Sequence, residues 1–238
     1  MSSSVLLFLD YDGTLVGFQD VPRKAVLSPA RRRFLRDLSR VHRVVIVSGR
    51  SLAEIRRLVG LPGIAYIGNH GLEMELGGRT WVHPLAVRLQ PVLQAALERI
   101  ARASRDIPGP LIEDKGLTAS VHFRPLTPAT ARRVRRIVRR EMRPDLRSLR
   151  LVAGNKVWEI RPRVRWDKGS AVSEMRRWLG PAGKGVPVYL GDDRTDEDAF
   201  RELRPDGVTF RVGRSGRTMA LGRLPDVPAV WRFLRLFR

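Results

Sequence analysis

Residues 5–14 read Val5-Leu6-Leu7-Phe8-Leu9-Asp10-Tyr11-Asp12-Gly13-Thr14, and the fold is decided where the apolar half meets the acidic half. Five consecutive apolar residues predict a strand buried on both faces of a parallel sheet, because a strand with one wet face alternates instead. The run stops in two carboxylates spaced i, i+2, followed by a glycine able to turn the chain and by a hydroxyl. Open α/β sheets bind ligands just beyond the carboxyl ends of their strands. Two acids at such an end, in a chain rich in arginine, predict a site for a divalent cation and an anion together.

Four further stretches repeat the pattern. Arg43–Val47 ends in Ser48-Gly49-Arg50, Ile64–Ile67 in Gly68-Asn69-His70-Gly71, Pro187–Leu190 in Gly191-Asp192-Asp193, and Val208–Val212 in Gly213. Helical periodicity fills Pro29–Arg40, Ser51–Val59, Lys168–Leu179 and Asp196–Leu203. Strand–helix alternation with short connections predicts a doubly wound, Rossmann-like parallel sheet. The middle of the chain departs from this rhythm. Ala86–Ser104 reads as an amphipathic helix, Leu111–Arg124 as a hairpin through Lys115-Gly116, Pro128–Met142 as a second helix, and Leu149–Arg161 as a second hairpin through Gly154-Asn155. That order describes an α+β cap domain over residues 86–162, inserted into an α/β core made of 1–85 and 163–238. In Leu117–Arg124 one face carries Leu117, Ala119, Val121 and Phe123, and the other Thr118, Ser120, His122 and Arg124. Period two places the first set on the cap helices and leaves a polar face that either meets water or covers a polar substrate.

Composition bounds the classes. The chain has 238 residues, 43% of them hydrophobic, 29% charged and none of them cysteine. This fits a globular protein and excludes disulfides, thiol catalysis and cysteine-ligated metals. Asp10 and Asp12 interrupt the only apolar run near the N-terminus, so neither a signal peptide nor a membrane span is expected, and a cytoplasmic location is. The formal net charge is +21, nearly all from arginine. Arginine clusters at Arg31–Arg36 and Arg132–Arg140 interleave Phe34, Leu35, Val134, Ile137 and Val138 at helical spacing, and so read as solvated helix faces. No nucleic-acid-reading motif accompanies them, and neither nucleic acid nor membrane is expected as a partner.

Chemistry follows from the strand ends. A phosphate monoester is a dianion that repels a carboxylate nucleophile, so its hydrolysis needs a cation to join the two and donors for the equatorial oxygens. Asp10 and Asp192 supply carboxylates to a magnesium ion, Asp12 adds its main-chain carbonyl with its side chain free, and Asp10, Asp12 and Asp192 form the expected metal set. Ser48, Lys168 and the backbone N–H groups around Asp12 and Gly13 are the donors. Asp10 is the nucleophile, giving an aspartyl phosphate, and Asp12 the acid–base group, held by a hydrogen bond from Thr14. A capped strand-to-helix turn would also explain an isolated Asp-x-Asp-Gly-Thr. The coincidence with Ser48, Lys168 and Asp192-Asp193 at other element ends argues against that.

Asp10-Tyr11-Asp12-Gly13-Thr14, Ser48-Gly49-Arg50, Lys168 and Gly191-Asp192-Asp193 resemble the four motifs of the haloacid-dehalogenase superfamily of phosphatases. Asn155–Pro162, Trp166-Asp167-Lys168-Gly169 and Gly191–Phe200 resemble, more narrowly, the plant-type trehalose 6-phosphate phosphatases. The resemblance spans essentially the whole chain. It implies a mobile cap, dependence on Mg2+, trehalose and phosphate as products, and Asp10, Asp12, Ser48, Lys168 and Asp192 in the roles already derived. It further implies sugar contacts at Glu113, Lys115, Arg124, Glu159 and Arg161, with pairing of Arg161 and Arg124 to Glu159 and Glu113 inside the sheet as the alternative. Arg50 meets phosphate or sugar, or extends past its turn. His70 lies near the cleft or is a turn residue bonded to backbone. Asp193 and Asp196 orient the ligands or bind metal, and Asp196 is alternatively the N-cap of the next helix. A stand-alone, monomeric phosphatase is expected. Another sugar phosphate, such as sucrose 6-phosphate or mannosyl-3-phosphoglycerate, and a non-catalytic sugar-phosphate sensor are the rival readings.

Overall fold

β1 (Leu6–Asp10) is buried along its whole length and pairs in parallel with a strand on each side, β2 (Arg43–Val47) and β10 (Pro187–Gly191). The computed structural model describes residues 4–19, 24–108, 111–123, 126–154, 157–181, 185–214 and 216–238. The chain divides into two compact units, Met1–Trp81 with Trp166–Arg238, and Val82–Arg165. These bounds lie a few residues outside the expected insertion. A hairpin of β4 (Glu73–Leu76) and β5 (Arg79–Val82) extends the core sheet before the chain leaves it.

The core unit holds an eight-stranded sheet in the order β12-β11-β10-β1-β2-β3-β4-β5, with β3 at Ala65–Gly68, β11 at Val208–Val212 and β12 at Gly222–Leu224. Pairing is parallel from β12 to β3 and antiparallel between β3 and β4. Period two divides β1 between two apolar layers. Leu7 and Leu9 pack with Leu35 and Leu38 of α1 (Pro29–Val41), Ile55 and Leu58 of α2 (Leu52–Val59), and Val230 and Trp231 of α8 (Val227–Leu234). Leu6 and Phe8 pack with Val172 and Met175 of α6 (Lys168–Leu179) and Phe200 and Leu203 of α7 (Asp196–Leu203). Each fully buried side chain of this size is worth about 1.5–3 kcal/mol of transfer free energy, so a register slip that reversed the faces is strongly disfavoured.

The helices begin where the sequence supplies caps. Ser28 accepts from Arg31 N–H before α1, Ser51 from Glu54 N–H before α2, and Asp167 from Ser170 N–H before α6. Each bond satisfies one of the orphan N–H groups of a first turn.

The second unit has a four-stranded antiparallel sheet in the order β6-β7-β9-β8, comprising β6 (Leu111–Asp114), β7 (Ala119–His122), β8 (Leu149–Gly154) and β9 (Val157–Pro162). Leu93, Ala96 and Ile100 of α4 (Gln90–Ala103) and Val134, Ile137 and Val138 of α5 (Pro128–Glu141) pack on Ala119, Val121 and Ile160. The single helix expected over 86–104 is two, because α3 (Pro84–Arg88) ends before α4 starts. Pro91 explains the break: it has no N–H to donate, and its ring collides with the carbonyl four residues back. The arginines of α5 from Arg132 to Arg140 are exposed. No helix among the described residues is long and apolar enough to cross a membrane.

Candidate active site

After β1 the chain runs to β2 on one side, and it returns much later to β10 on the other. A sheet whose order reverses at β1/β10 opens a crevice at those carboxyl ends. Asp10 is the last residue of β1, and Asp192 follows β10 directly. Gly13 has φ +85°, and a Cβ there would overlap the Asp192 carboxylate. Glycine is therefore demanded both by the left-handed turn and by the close approach of an acid.

Carboxylate oxygens of Asp10, Asp192 and Asp196 all lie within 4.8 Å of one another. Burial, then repulsion from Asp196, pushes the Asp10 carboxyl well above its ordinary value, only partly offset by Lys168. Burial, then Asp196 and Asp193, pushes Asp192 up to about 8. Its Oδ1 is buried without a hydrogen-bond partner. Three crowded acids share one lysine, and one buried oxygen of Asp192 has no hydrogen-bond partner in the protein. That donor set fits a divalent cation with oxygen ligands.

Lys168 is the internal counter-charge. Its Nζ donates to Asp10 Oδ1 at 2.8 Å and to Asp196 Oδ1 at 2.7 Å, and the residue is 3% exposed. Burial opposes its charge, but attraction to Asp10 and Asp196 outweighs burial and raises it well above the ordinary lysine value. Asp196 is fully buried; it also accepts from the Tyr189 hydroxyl at 2.8 Å and from the Asp193 N–H at 2.9 Å. The N-cap reading of Asp196 is thus corrected: Thr195 precedes α7, and the Asp196 side chain turns inward to the lysine. Gly191 makes room for it, since a Cβ at that position would overlap its carboxylate. Asp193 is exposed; its backbone N–H donates to the Asp196 carboxylate and its carbonyl accepts from the Asp196 N–H at 3.2 Å.

Asp12 stands apart from the cluster, and two expectations about it are corrected. Its side chain is not free: Arg50 Nε donates to Oδ2 at 2.7 Å and Arg50 Nη2 to Oδ1 at 2.8 Å. Nor does Thr14 hold it, for the Thr14 hydroxyl is buried with no hydrogen-bond partner. Arg50 Nη1 donates to Glu54 Oε1 at 2.6 Å. Burial works against the Arg50 charge, yet Asp12 and Glu54 more than reverse this and raise it above the ordinary arginine value. The arginine fork outcompetes a threonine hydroxyl because it makes two parallel charge-assisted bonds to one carboxylate.

The ends of β2 and β3 are stitched together by backbone. Asn69 N–H donates to Arg50 O at 2.6 Å and His70 N–H to Ser48 O at 3.0 Å. Asn69 and His70 have φ +49° and +58°, a left-handed pair that costs about 1–3 kcal/mol per residue and is found mainly at functional sites. His70 packs over Gly49, where a Cβ would overlap its ring. Ser48 is 1% exposed, and its Oγ accepts from the Arg50 N–H at 3.1 Å, leaving its O–H to donate elsewhere.

In the second unit, strand register aligns Glu113, Ser120 and Glu159 as a row across β6, β7 and β9. Glu159 accepts from Arg161 Nε at 2.8 Å, and Lys115 Nζ lies 3.8 Å from it. Glu113 is 2.7 Å from His122 Nε2. The in-sheet pairing of Arg161 with Glu159 is therefore formed. Arg124 lies outside the described residues. Thr118 and Ser120, expected on the polar face, are each 1% exposed and so do not meet water. Sequence reasoning missed Tyr189 and Glu54. Nothing marks Tyr189 in a run of strand residues, whereas the Ser51-x-x-Glu54 spacing is a capping-box signal that drew no attention to the side chain of Glu54.

The fold is shared with a haloacid dehalogenase-like hydrolase from Bacteroides thetaiotaomicron (TM-score 0.66, 14% identity, 98% of this chain and 100% of that one). A family model described as trehalose-phosphatase matches residues 8–220, and the chain belongs to that family. Trehalose-phosphate phosphatase B of Arabidopsis thaliana is 35% identical over 224 residues, covering 87% of this chain and 58% of that protein. The chain thus spans less than two thirds of the length of the first curated relatives it matches. The C-terminal domain of C. albicans trehalose-6-phosphate phosphatase superposes with a TM-score of 0.83 at 25% identity, over 99% of this chain and 92% of that one.

Proposed function

We propose that the chain hydrolyses trehalose 6-phosphate to trehalose and phosphate. The observation that carries the reading is the buried lysine held between Asp10 and Asp196, 2.8 and 2.7 Å from their carboxylates, inside a cluster of three acids at the sheet's reversal point. Such a cluster is costly to keep without work to do. Membership of the trehalose-phosphatase family supports trehalose 6-phosphate as the substrate.

In this reading Asp10 attacks phosphorus, the bond from phosphorus to the sugar oxygen breaks, and Asp12 delivers a proton to the departing oxygen. Asp12 then takes a proton from water, which attacks the aspartyl phosphate, frees phosphate and restores the Asp10 carboxylate. Ser48, Lys168 and the N–H groups around Asp12 and Gly13 hold the equatorial oxygens. Asp10, Asp192 and the main-chain carbonyl of Asp12 would hold magnesium, which when bound supplies the positive charge that lets nucleophile and dianion approach. Asp196 acts from behind by fixing Lys168. Glu113, Lys115 and Glu159 are the sugar contacts, carboxylates accepting from hydroxyls and the ammonium donating to them, while Arg161 is paired to Glu159 and holds it in place.

Phosphate release from trehalose 6-phosphate, measured with and without magnesium and beside glucose 6-phosphate, tests the proposal. Magnesium-dependent turnover with a clear preference for the disaccharide is expected. Equal rates on the two sugars would remove trehalose 6-phosphate as the substrate while leaving phosphatase chemistry in place.

A further inference from the structure

We infer that Arg50, braced by Glu54, is a positioning residue that sets the orientation of the Asp12 carboxylate, and not a contact for phosphate or sugar; the inference rests on the acid–base role of Asp12 proposed above. Three of the guanidinium's N–H groups are already committed to protein carboxylates, two to Asp12 and one to Glu54. Its side chain is 9% exposed, that of Asp12 30% and that of Glu54 18%. An arginine kept for an incoming dianion presents its fork to the open side. This one closes its fork on Asp12 and gives a third N–H to Glu54.

Fork geometry decides what the pair does. A bidentate contact fixes both oxygens of Asp12, and with them the rotation of the carboxylate plane, which a single hydrogen bond leaves loose. Glu54 prevents the guanidinium from following Asp12 when that side chain moves. It sits in the first turn of α2, where Ser51 caps the helix, so its backbone is anchored. Arg50 is anchored too: its N–H donates to Ser48 Oγ at 3.1 Å, and its carbonyl accepts from Asn69 N–H at 2.6 Å. The acid–base group is thereby referenced to the same turn that carries Ser48, and small misplacement of such a group costs rate steeply.

Leaving-group dependence separates positioning from the alternatives. Departure of a sugar alkoxide needs a proton, whereas p-nitrophenolate leaves without one. Because kcat/KM reports events up to loss of the leaving group, it isolates the protonation step. Arg50→Met is expected to lower kcat/KM on trehalose 6-phosphate (or on glucose 6-phosphate, should the disaccharide not be a substrate) by about 10²-fold, the lower range for losing a general acid. On p-nitrophenyl phosphate the loss is expected to stay below about tenfold, because no proton is needed there. Arg50→Lys should not rescue, since an ammonium keeps the charge but has no fork. Glu54→Gln, which leaves the core ion pair intact, is expected to show the same selectivity at smaller amplitude.

Adding Arg50→Met to Asp12→Asn should cost nothing further on the alkyl ester, as expected for two residues acting as a unit. Multiplicative losses in the double variant, equal losses on alkyl and aryl esters, or a raised KM with kcat unchanged would each overturn the inference. Failure of the wild type on trehalose 6-phosphate alone would overturn the proposed substrate and leave the Arg50 comparison to be read on glucose 6-phosphate.

Discussion

The charged pairs around Asp10 and Asp12 in the core unit join residues far apart in sequence, whereas two pairs in the sheet of the second unit join near neighbours. Lys168 and Asp10 are 158 positions apart and Arg50 and Asp12 are 38 apart. Arg161 and Glu159 are two apart on one strand, and His122 and Glu113 nine apart within one hairpin. Core pairs exist only once the whole sheet has formed and its strand order has brought β1, β2 and β10 together. The Arg161–Glu159 and His122–Glu113 pairs need only one strand or one hairpin, although Lys115 also approaches Glu159 from a different hairpin. The contrast teaches which contacts tolerate change: a pair set by the whole sheet is lost with any shift of strand order, while a pair within one strand or hairpin can be exchanged one residue at a time.

That division predicts a descending series of effects. Asp10→Asn should lower turnover of every phosphate ester by about 10⁴-fold or more, the range seen on losing a nucleophile, equally for disaccharide and aryl substrates. Retention of even about a hundredth of wild-type turnover would break the assignment of chemistry to the core. Stripping divalent cations with a chelator should likewise silence all substrates. Added magnesium should restore activity and raise the melting temperature, because a ligand bound only by the native state stabilises it; an unchanged melting curve would argue that the acid cluster does not hold the ion. Gly13→Ala comes next. Strain at φ +85° and overlap with Asp192 should cost about 1–3 kcal/mol of stability, read by denaturant unfolding, together with most of the activity on all esters.

Glu159→Gln sharpens the comparison from the side of the second unit. Loss of a carboxylate acceptor should reduce kcat/KM on trehalose 6-phosphate by about 10–10²-fold and leave p-nitrophenyl phosphate almost untouched. Equal losses would instead identify an ion pair that supports Arg161 and Lys115 structurally. Smallest of all, Arg136→Gln on the exposed face of α5 should shift stability by no more than about 0.5 kcal/mol. A larger change in melting temperature would show that the arginine face is not merely solvated.

Much of the core was legible because continuous apolar runs and capped helices are local signals. α6 and α7 fall on the residues whose periodicity predicts them, and β1 and β2 end at Asp10 and Val47 as their composition requires. What escaped was short or at an edge. β4 and β5 carry Glu73, Glu75 and Arg79, so they do not read as buried strands, although Gly77-Gly78 with φ +57° and +84° is a hairpin signal. α8 was unread despite Asp226 as its N-cap and Pro228 in its first turn. The Arg161–Glu159 pair was an open alternative because alternation tells which face a side chain takes but not which neighbour it bonds.

Sequence alone determined that Asp10, Asp12, Ser48, Lys168 and Asp192 stand at the ends of strands and helices, since apolar runs stop where polar residues begin. Only tertiary structure decided which acid meets which cation. Asp196 turned inward to Lys168, and Asp12 closed on Arg50 instead of Thr14, because a buried charge takes the partner that chain packing brings within reach, and that distance is written in no single stretch of residues.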